Sequence, residues 1–260
     1  HPPGVQVLHV SPYFPPTWAY GGIPRIVDGL TRALTRQGVG CTVWTSDARD
    51  ERRSATPEDR DHHGVRVLTS QNLSNQLAYR HQLFLPLADR LDSLGPIDVL
   101  HLHGHRHLLN NRALAWARRR GVPYVMTPNG TLPRHERKVG AKLAWDLLIS
   151  GKVPKGAARL IAVSGSEAGQ FIQDGYAPEV VARIPNGLEL DEFSELPRPG
   201  AFKRRWGIEG RVVAYLGQVS PRKGVEHLAA AFAGGGLGDA TLVVGGNDMG
   251  GMALARQSAT

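Results

Sequence analysis

Apolar residues along this chain keep two rhythms, and the two alternate. Short runs rich in Val, Ile and Leu predict strands at Val5–Ser11, Cys41–Thr45, Val65–Thr69, Ile97–His103, Val122–Thr127, Arg159–Ser164 and Val180–Pro185. Between the first two, Ile23, Ile26, Val27, Leu30 and Leu34 recur at helical spacing and predict a helix that stops near Gly38. Leu83, Leu87, Leu91 and Leu94 predict a second helix. Others follow over His107–Arg120, near Arg137–Ser150 and over Ser166–Asp174. The stretch Asp47–His63 mixes both charge signs without periodicity and reads as a solvated loop.

Alternating strands and helices, with strands apolar throughout, predict an α/β fold whose parallel sheet is covered on both faces. The pattern then restarts. Asn186-Gly187 is a turn signal, and the polar, Pro-containing Glu189–Gly200 follows it. Beyond lie a strand at Arg211–Gly217, a helix at Gly224–Phe232 and a strand at Thr241–Gly245. Two units are therefore expected, 1–188 and 189–260, the second about half the size of an ordinary domain.

Composition narrows the function classes. The chain has 260 residues, 41% hydrophobic and 21% charged, ordinary values for a globular protein. No apolar run approaches the length of a membrane span; pieces such as Val99–Leu102 are strand-sized. The start, His1-Pro2-Pro3-Gly4, has neither an initiator Met nor a signal-peptide core and is expected to be a processed end. The single Cys41 allows no internal disulfide, which fits a cytoplasmic protein, and its position in a strand predicts a small buried hydrophobe. The net charge of +8 is unevenly placed: residues 101–160 hold 12 Lys and Arg against 2 Asp and Glu. Such concentration implies an anionic partner, either a phosphorylated substrate or an acidic lipid surface. Nucleic acid is the weakest choice, since no zinc-finger spacing, RNP-like strand or recognition helix accompanies the charge.

Four places suggest chemistry. In Tyr215-Leu-Gly-Gln-Val-Ser-Pro-Arg-Lys-Gly224 a strand ends in a glycine turn with two adjacent cations, and a helix follows. Free N–H groups at a helix start, with Arg222 and Lys223 beside them, suit a phosphate or diphosphate; surface cations on an ordinary turn are the plain alternative. Gly21-Gly22 lies at another strand-to-helix turn and permits close backbone approach to a ligand, or is simply a flexible turn. Arg25, one turn on, is either a surface cation or an acceptor-phosphate contact. His101-Leu-His103 ends a strand, where open α/β sheets bind ligands. A metal held by His101, His103, His105 and His107 is disfavoured, because no Cys or carboxylate adjoins them in sequence. Ser164-x-x-Glu167 is first of all a capping box, and Asn129-Gly130 is first of all a turn.

Together these segments resemble the GT-B fold and, within it, the retaining glycosyltransferases of family 4. The likeness rests on Pro12-Tyr-Phe-Pro-Pro leading to Gly21-Gly22-Ile-Pro-Arg25, Asp98-Val-Leu-His-Leu-His103, Val163-Ser-Gly-Ser-Glu167, Ile184-Pro-Asn-Gly-Leu-Glu-Leu-Asp-Glu-Phe193 and the 215–224 turn. It implies an acceptor-side Rossmann-like unit over 1–188 and part of a donor-binding one over 189–260. The implied activity is sugar transfer from a nucleotide-diphosphate donor to a sugar or lipid-linked acceptor, with no cofactor and no metal. His103 corresponds to the family's catalytic-site histidine near the reacting carbon. Gly21, Gly22, Gln218, Arg222 and Lys223 correspond to the donor-diphosphate site, and Arg25, Asn129, Asn186 and Glu167 to acceptor or sugar contacts. One departure is Gln218, where the family usually has an arginine. Another is that the family's pair of glutamates, spaced by seven residues, falls later than Thr260. The chain is therefore expected to be weak or inactive alone and to self-associate through its second unit. Lys138 and Lys142 in the basic helix allow docking on an anionic membrane at its inner face, or plain solvation. The alternative function is a glycan- or anionic-lipid-binding module without catalysis; a phosphorylase would need a pyridoxal lysine site that is not apparent.

Overall fold

The computed structural model describes residues 4–56, 59–81, 83–88, 90–132, 140, 145–146, 149 and 153–259. The chain divides into two compact units, His1–Leu188 and Glu189–Thr260.

The first unit is built on an eight-stranded sheet. In chain order the strands are β1 (Gln6–Val10), β2 (Gly40–Ser46), β3 (Arg60–His62), β4 (Val65–Ser70), β5 (Val99–His103), β6 (Tyr124–Thr127), β7 (Arg159–Ala162) and β8 (Val181–Arg183). Their order in space is β3-β4-β2-β1-β5-β6-β7-β8, and every pairing is parallel except β3 with β4. The chain winds outward from β1 through β2 to β4, then returns to lay β5 on the other side of β1. That reversal is the topological switch point, where the loops leaving β1 and β5 diverge and leave a crevice.

Alternating strand residues feed two cores. Leu8, Val10, Trp44, Leu68, Leu100 and Leu102 pack in the larger one, while Val43, Val65 and Val67 join Phe14, Val27 and Cys41 in the smaller. Such near-continuous burial on both faces is the signature of a parallel sheet covered by helices. Helix α1 (Ile23–Arg36) has Pro24 in its first turn, where the missing N–H has no partner to lose. Helix α3 (Leu108–Arg120) ends at Gly121 with Arg118, Arg119 and Arg120 in its last turn, the favourable end for cations. Between them α2 (Asn75–His81) is short.

Two expectations are corrected here, and a third lies beyond the described residues. The stretch 47–63 is not wholly solvated: Asp47 and Ala48 are buried, and Asp47 accepts the Asn72 N–H at 2.7 Å. It also contains β3, an edge strand without apolar alternation, fastened by His62 Nε2 to Asp28 at 2.9 Å and by Arg60 to the Pro15 carbonyl. Among the described residues no long helix carries Leu83 to Leu94. Pro86 breaks that run and forms an antiparallel bridge with Asn72, and only a single turn, Leu91–Ser93, coils. The predicted helix Arg137–Ser150 lies almost entirely outside the described residues.

The second unit pairs β9 (Val212–Leu216) with β10 (Thr241–Gly245) in parallel. Helix α6 (Val225–Gly234) and helix α7 (Met252–Ser258) pack on it around Val219, Val225, Ala229 and Ala255. Helix α7 and the preceding α5 (Ala201–Trp206) were not apparent as periodic runs; α5 has six residues between two left-handed glycines, Gly200 and Gly207. The first unit's remaining helix, α4 (Gly165–Gln173), is described with the site. No helix among the described residues is long and apolar enough to cross a membrane.

Candidate active site

The carboxyl ends of β1 and β5 bring three imidazoles together. In the parallel register His9 stands beside His101, and His103 follows two residues on. All three are buried, with exposures of 0%, 7% and 1%. His9 Nδ1 and His103 Nε2 lie 3.1 Å apart in a hydrogen bond, and His101 Nε2 bonds Thr127 Oγ1 at 2.7 Å. His107 Nε2 donates to the His103 carbonyl at 3.0 Å, tying the start of α3 to the end of β5. Burial, with mutual repulsion among the rings, holds His9 and His103 far below the ordinary histidine value. Burial brings His101 and His107 down to about 4. Near neutral pH these rings are uncharged hydrogen-bonding groups. His103 Nδ1 and His9 Nε2 have no hydrogen-bond partner among the described residues.

The alternating run of histidines divides into two groups. His105 turns away to Asp146, 3.3 Å from Nε2, so a carboxylate distant in sequence does adjoin the run. Arg106, in the left-handed region, clamps the same Asp146 through Nε and Nη2 at 3.0 and 2.9 Å. The ring nitrogens of His9, His101 and His103 fall within 4.8 Å of one another. Their planes are tilted by only 20° to 43°, with the His101 and His103 centroids 4.0 Å apart. Within that trio His9 Nδ1 and His103 Nε2 face each other in their hydrogen bond, and His101 Nε2 is taken up by Thr127. His9 was missed in the sequence because its partners are 92 and 94 residues away; only the β1–β5 register brings them together.

The loop after β1 supplies the glycine turn. Gly21 has φ 93° and ψ −141°, a glycine-only conformation, and Gly22 caps α1. Gly22 itself has an ordinary φ of −79°, and a Cβ there would meet nothing within 4 Å. Packing therefore does not require glycine at that position. Arg25 is exposed, its guanidinium 5.9 Å from the Trp18 ring.

Beyond β6 and β7 a single carboxylate organises two loops. Ser164 caps α4 by accepting the Glu167 N–H at 3.1 Å, as a capping box requires. The Glu167 carboxylate reaches past that box to the N–H groups of Val163 and Gly130, at 2.8 and 2.7 Å. It thereby holds the Asn129-Gly130 turn, in which Asn129 takes a left-handed φ of 54° and donates to the Thr127 carbonyl at 3.2 Å. Asn186 is exposed at the end of the first unit.

In the second unit the basic turn directly precedes a helix and is itself coiled. Pro221–Lys223 is a single 3-10 turn, and the left-handed Gly224, φ 65°, caps α6 after it. Arg222 and Lys223 are exposed and precede the helix. Val219 is buried beneath them, and the Gln218 carbonyl accepts the Tyr215 hydroxyl at 2.8 Å.

Comparison with known proteins places this geometry in a family. The model of glycosyltransferase family 4 matches residues 20–192. D-inositol 3-phosphate glycosyltransferase of Frankia alni is 34% identical over 152 residues, covering 54% of this chain and 35% of that protein. Among solved structures, Anabaena HepE in complex with UDP and glucose matches with a TM-score of 0.66 at 15% identity, over 98% of this chain and 64% of that one. Sucrose-phosphate synthase of Thermosynechococcus elongatus matches with a TM-score of 0.67 at 18% identity, over 97% and 66%. The chain thus spans about a third of the curated relative's length and about two thirds of the structural neighbours'. The fold is that of the GT-B glycosyltransferases, and the chain belongs to glycosyltransferase family 4.

Proposed function

We propose that this chain forms the acceptor side and part of the donor side of a retaining glycosyltransferase. The donor is a nucleoside-diphosphate sugar and the acceptor a sugar or lipid-linked hydroxyl. The observation that carries the reading is the buried, neutral His103 at the switch point, with Nδ1 unpartnered, on the same sheet end as the loop bearing Gly21 and Gly22. A neutral imidazole in that place hydrogen-bonds a sugar hydroxyl beside the reacting carbon without adding charge. Gly22, with open space where a Cβ would stand, leaves the start of α1 clear for a polar ligand.

The second unit supplies the other half of the chemistry. As the glycosidic bond to phosphate breaks, negative charge builds on the leaving diphosphate, and stabilising it is the main catalytic task. Arg222 and Lys223 are the cations for that task, with Gln218 as a neutral donor where the family usually has an arginine. Solved neighbours described as complexes with UDP, UDP-glucose or UDP-2-fluoro glucose support a nucleotide donor. The excess positive charge of residues 101–160 supports an anionic acceptor or a docked acidic membrane face. The single buried cysteine suits a cytoplasmic setting. Arg25 is assigned to the acceptor, whereas Glu167 and Asn129 act through loop geometry.

Calorimetric titration of the full gene product with UDP and GDP tests the diphosphate site. Lys223→Ala is expected to weaken binding about tenfold to a hundredfold, the loss of one charged hydrogen bond. Gln218→Arg is expected to tighten it. Equal affinities in all three proteins would contradict the assignment.

A further inference from the structure

We propose that His9 is a positioning residue for His103: the buried bond between them fixes the orientation of the His103 ring, ties its tautomer to that of His9 and leaves Nδ1 as its one unpartnered nitrogen, the atom assigned to a ligand. The inference deepens the functional reading above and rests on it for the identity of that ligand, a sugar hydroxyl.

The two rings constrain each other through one proton. Both are fully enclosed and neutral, so each carries a single N–H. A bond between His9 Nδ1 and His103 Nε2 at 3.1 Å needs one proton on that pair of atoms, and not two or none. If His9 Nδ1 carries it, His103 is protonated at Nδ1. If His103 Nε2 carries it, His9 is protonated at Nε2. Bonded rings must therefore share one tautomer, both Nδ1–H or both Nε2–H. His9 Nε2 and His103 Nδ1 are then always one donor and one acceptor, and these are the two ring nitrogens without partners.

That coupling gives His103 its use. Its Nε2 is occupied by His9 and its carbonyl by His107, so Nδ1 is the only side-chain polar atom left. Moving the shared proton alone would leave an imidazolium at His103 and an imidazolate at His9, which burial strongly disfavours, so the tautomer holds unless His103 Nδ1 gives up a proton and His9 Nε2 gains one in the same exchange. An isolated buried imidazole pairs one nitrogen or neither, and its ring is free to flip. The tilted His101 ring, its centroid 4.0 Å away, packs against His103 but, bonded to Thr127, cannot set the tautomer.

The test is spectroscopic and begins with the unaltered chain. Histidine-ring nitrogen spectra near neutral pH are expected to show His9 and His103 in the same tautomer, with a scalar coupling across the bond joining Nδ1 of one to Nε2 of the other. Opposite tautomers would overturn the proposal without any variant. In His9→Phe, His103 is expected to become a mixture of tautomers, whereas His9→Asn, which keeps a polar group near Nδ1, is expected to restore a single one. An unchanged His103 signal in His9→Phe, with the amide spectrum showing the fold intact, would equally overturn it. If the coupling is present but His103→Asn still transfers sugar at the full rate, the functional reading fails and the pairing stands.

Discussion

At the scale of single residues the buried imidazoles make acid a specific stress on this protein. Unfolded, each takes up a proton near the ordinary value of 6.5; folded, His101 and His107 do so only near 4, and His9 and His103 well below 6.5. Between those values the unfolded chain binds more protons, so stability falls as pH falls. The slope is about 1.4 kcal/mol per pH unit for each histidine left neutral in the fold. Thermal melting should be level above about pH 6.5 and drop steeply below it. A midpoint that stays constant down to about pH 5 would show that these rings are not enclosed as described. Glu167 carries a different burden. Its carboxylate serves two backbone N–H groups on separate loops, so Glu167→Ala should cost about 1–3 kcal/mol. Hydrogen exchange should quicken at Gly130 and Val163 together; an effect confined to α4 would mean that only the cap was lost.

At the scale of elements, periodicity located most strands of both units and failed where the chain is short or polar. β3 has only three residues, Arg60, Asp61 and His62; it pairs with the neighbouring β4, and its side chains are fastened by partners over 30 positions distant in sequence. No local pattern contains that information. The leucine run from Leu83 to Leu94 had helical spacing, yet Pro86 inside it and the bridge to Asn72 prevailed over spacing. The site was legible in part for the same reason. His103 and the glycine turn stand at strand ends that sequence alone locates. His9 and Asp146 enter only through tertiary register, and Glu167 looked like a local cap until Gly130 came within reach. The second unit rests on a close approach of its own. A Cβ on Gly246, φ 140°, would lie 1.7 Å from the Gly217 carbonyl oxygen, backbone that cannot yield. Gly246→Ala should therefore unfold residues 212–259 while amide protection in the first unit persists. Loss of protection in both would show that the units do not fold separately.

At the scale of the whole molecule, the two units carry different chemical groups. The first holds neutral, buried hydrogen-bonding groups at a sheet's switch point, suited to a sugar. The second holds exposed cations on a tight turn, suited to phosphate. The most direct measurement is release of nucleoside diphosphate when the full gene product is incubated with UDP- and GDP-sugars and hydroxyl acceptors, compared with His103→Asn and Lys223→Ala. Release is expected with at least one donor, with a product that keeps the donor's anomeric configuration and a fall of about a hundredfold or more in each variant. Glycan or lipid binding with no release from any donor, or variants as fast as the unaltered protein, would contradict it.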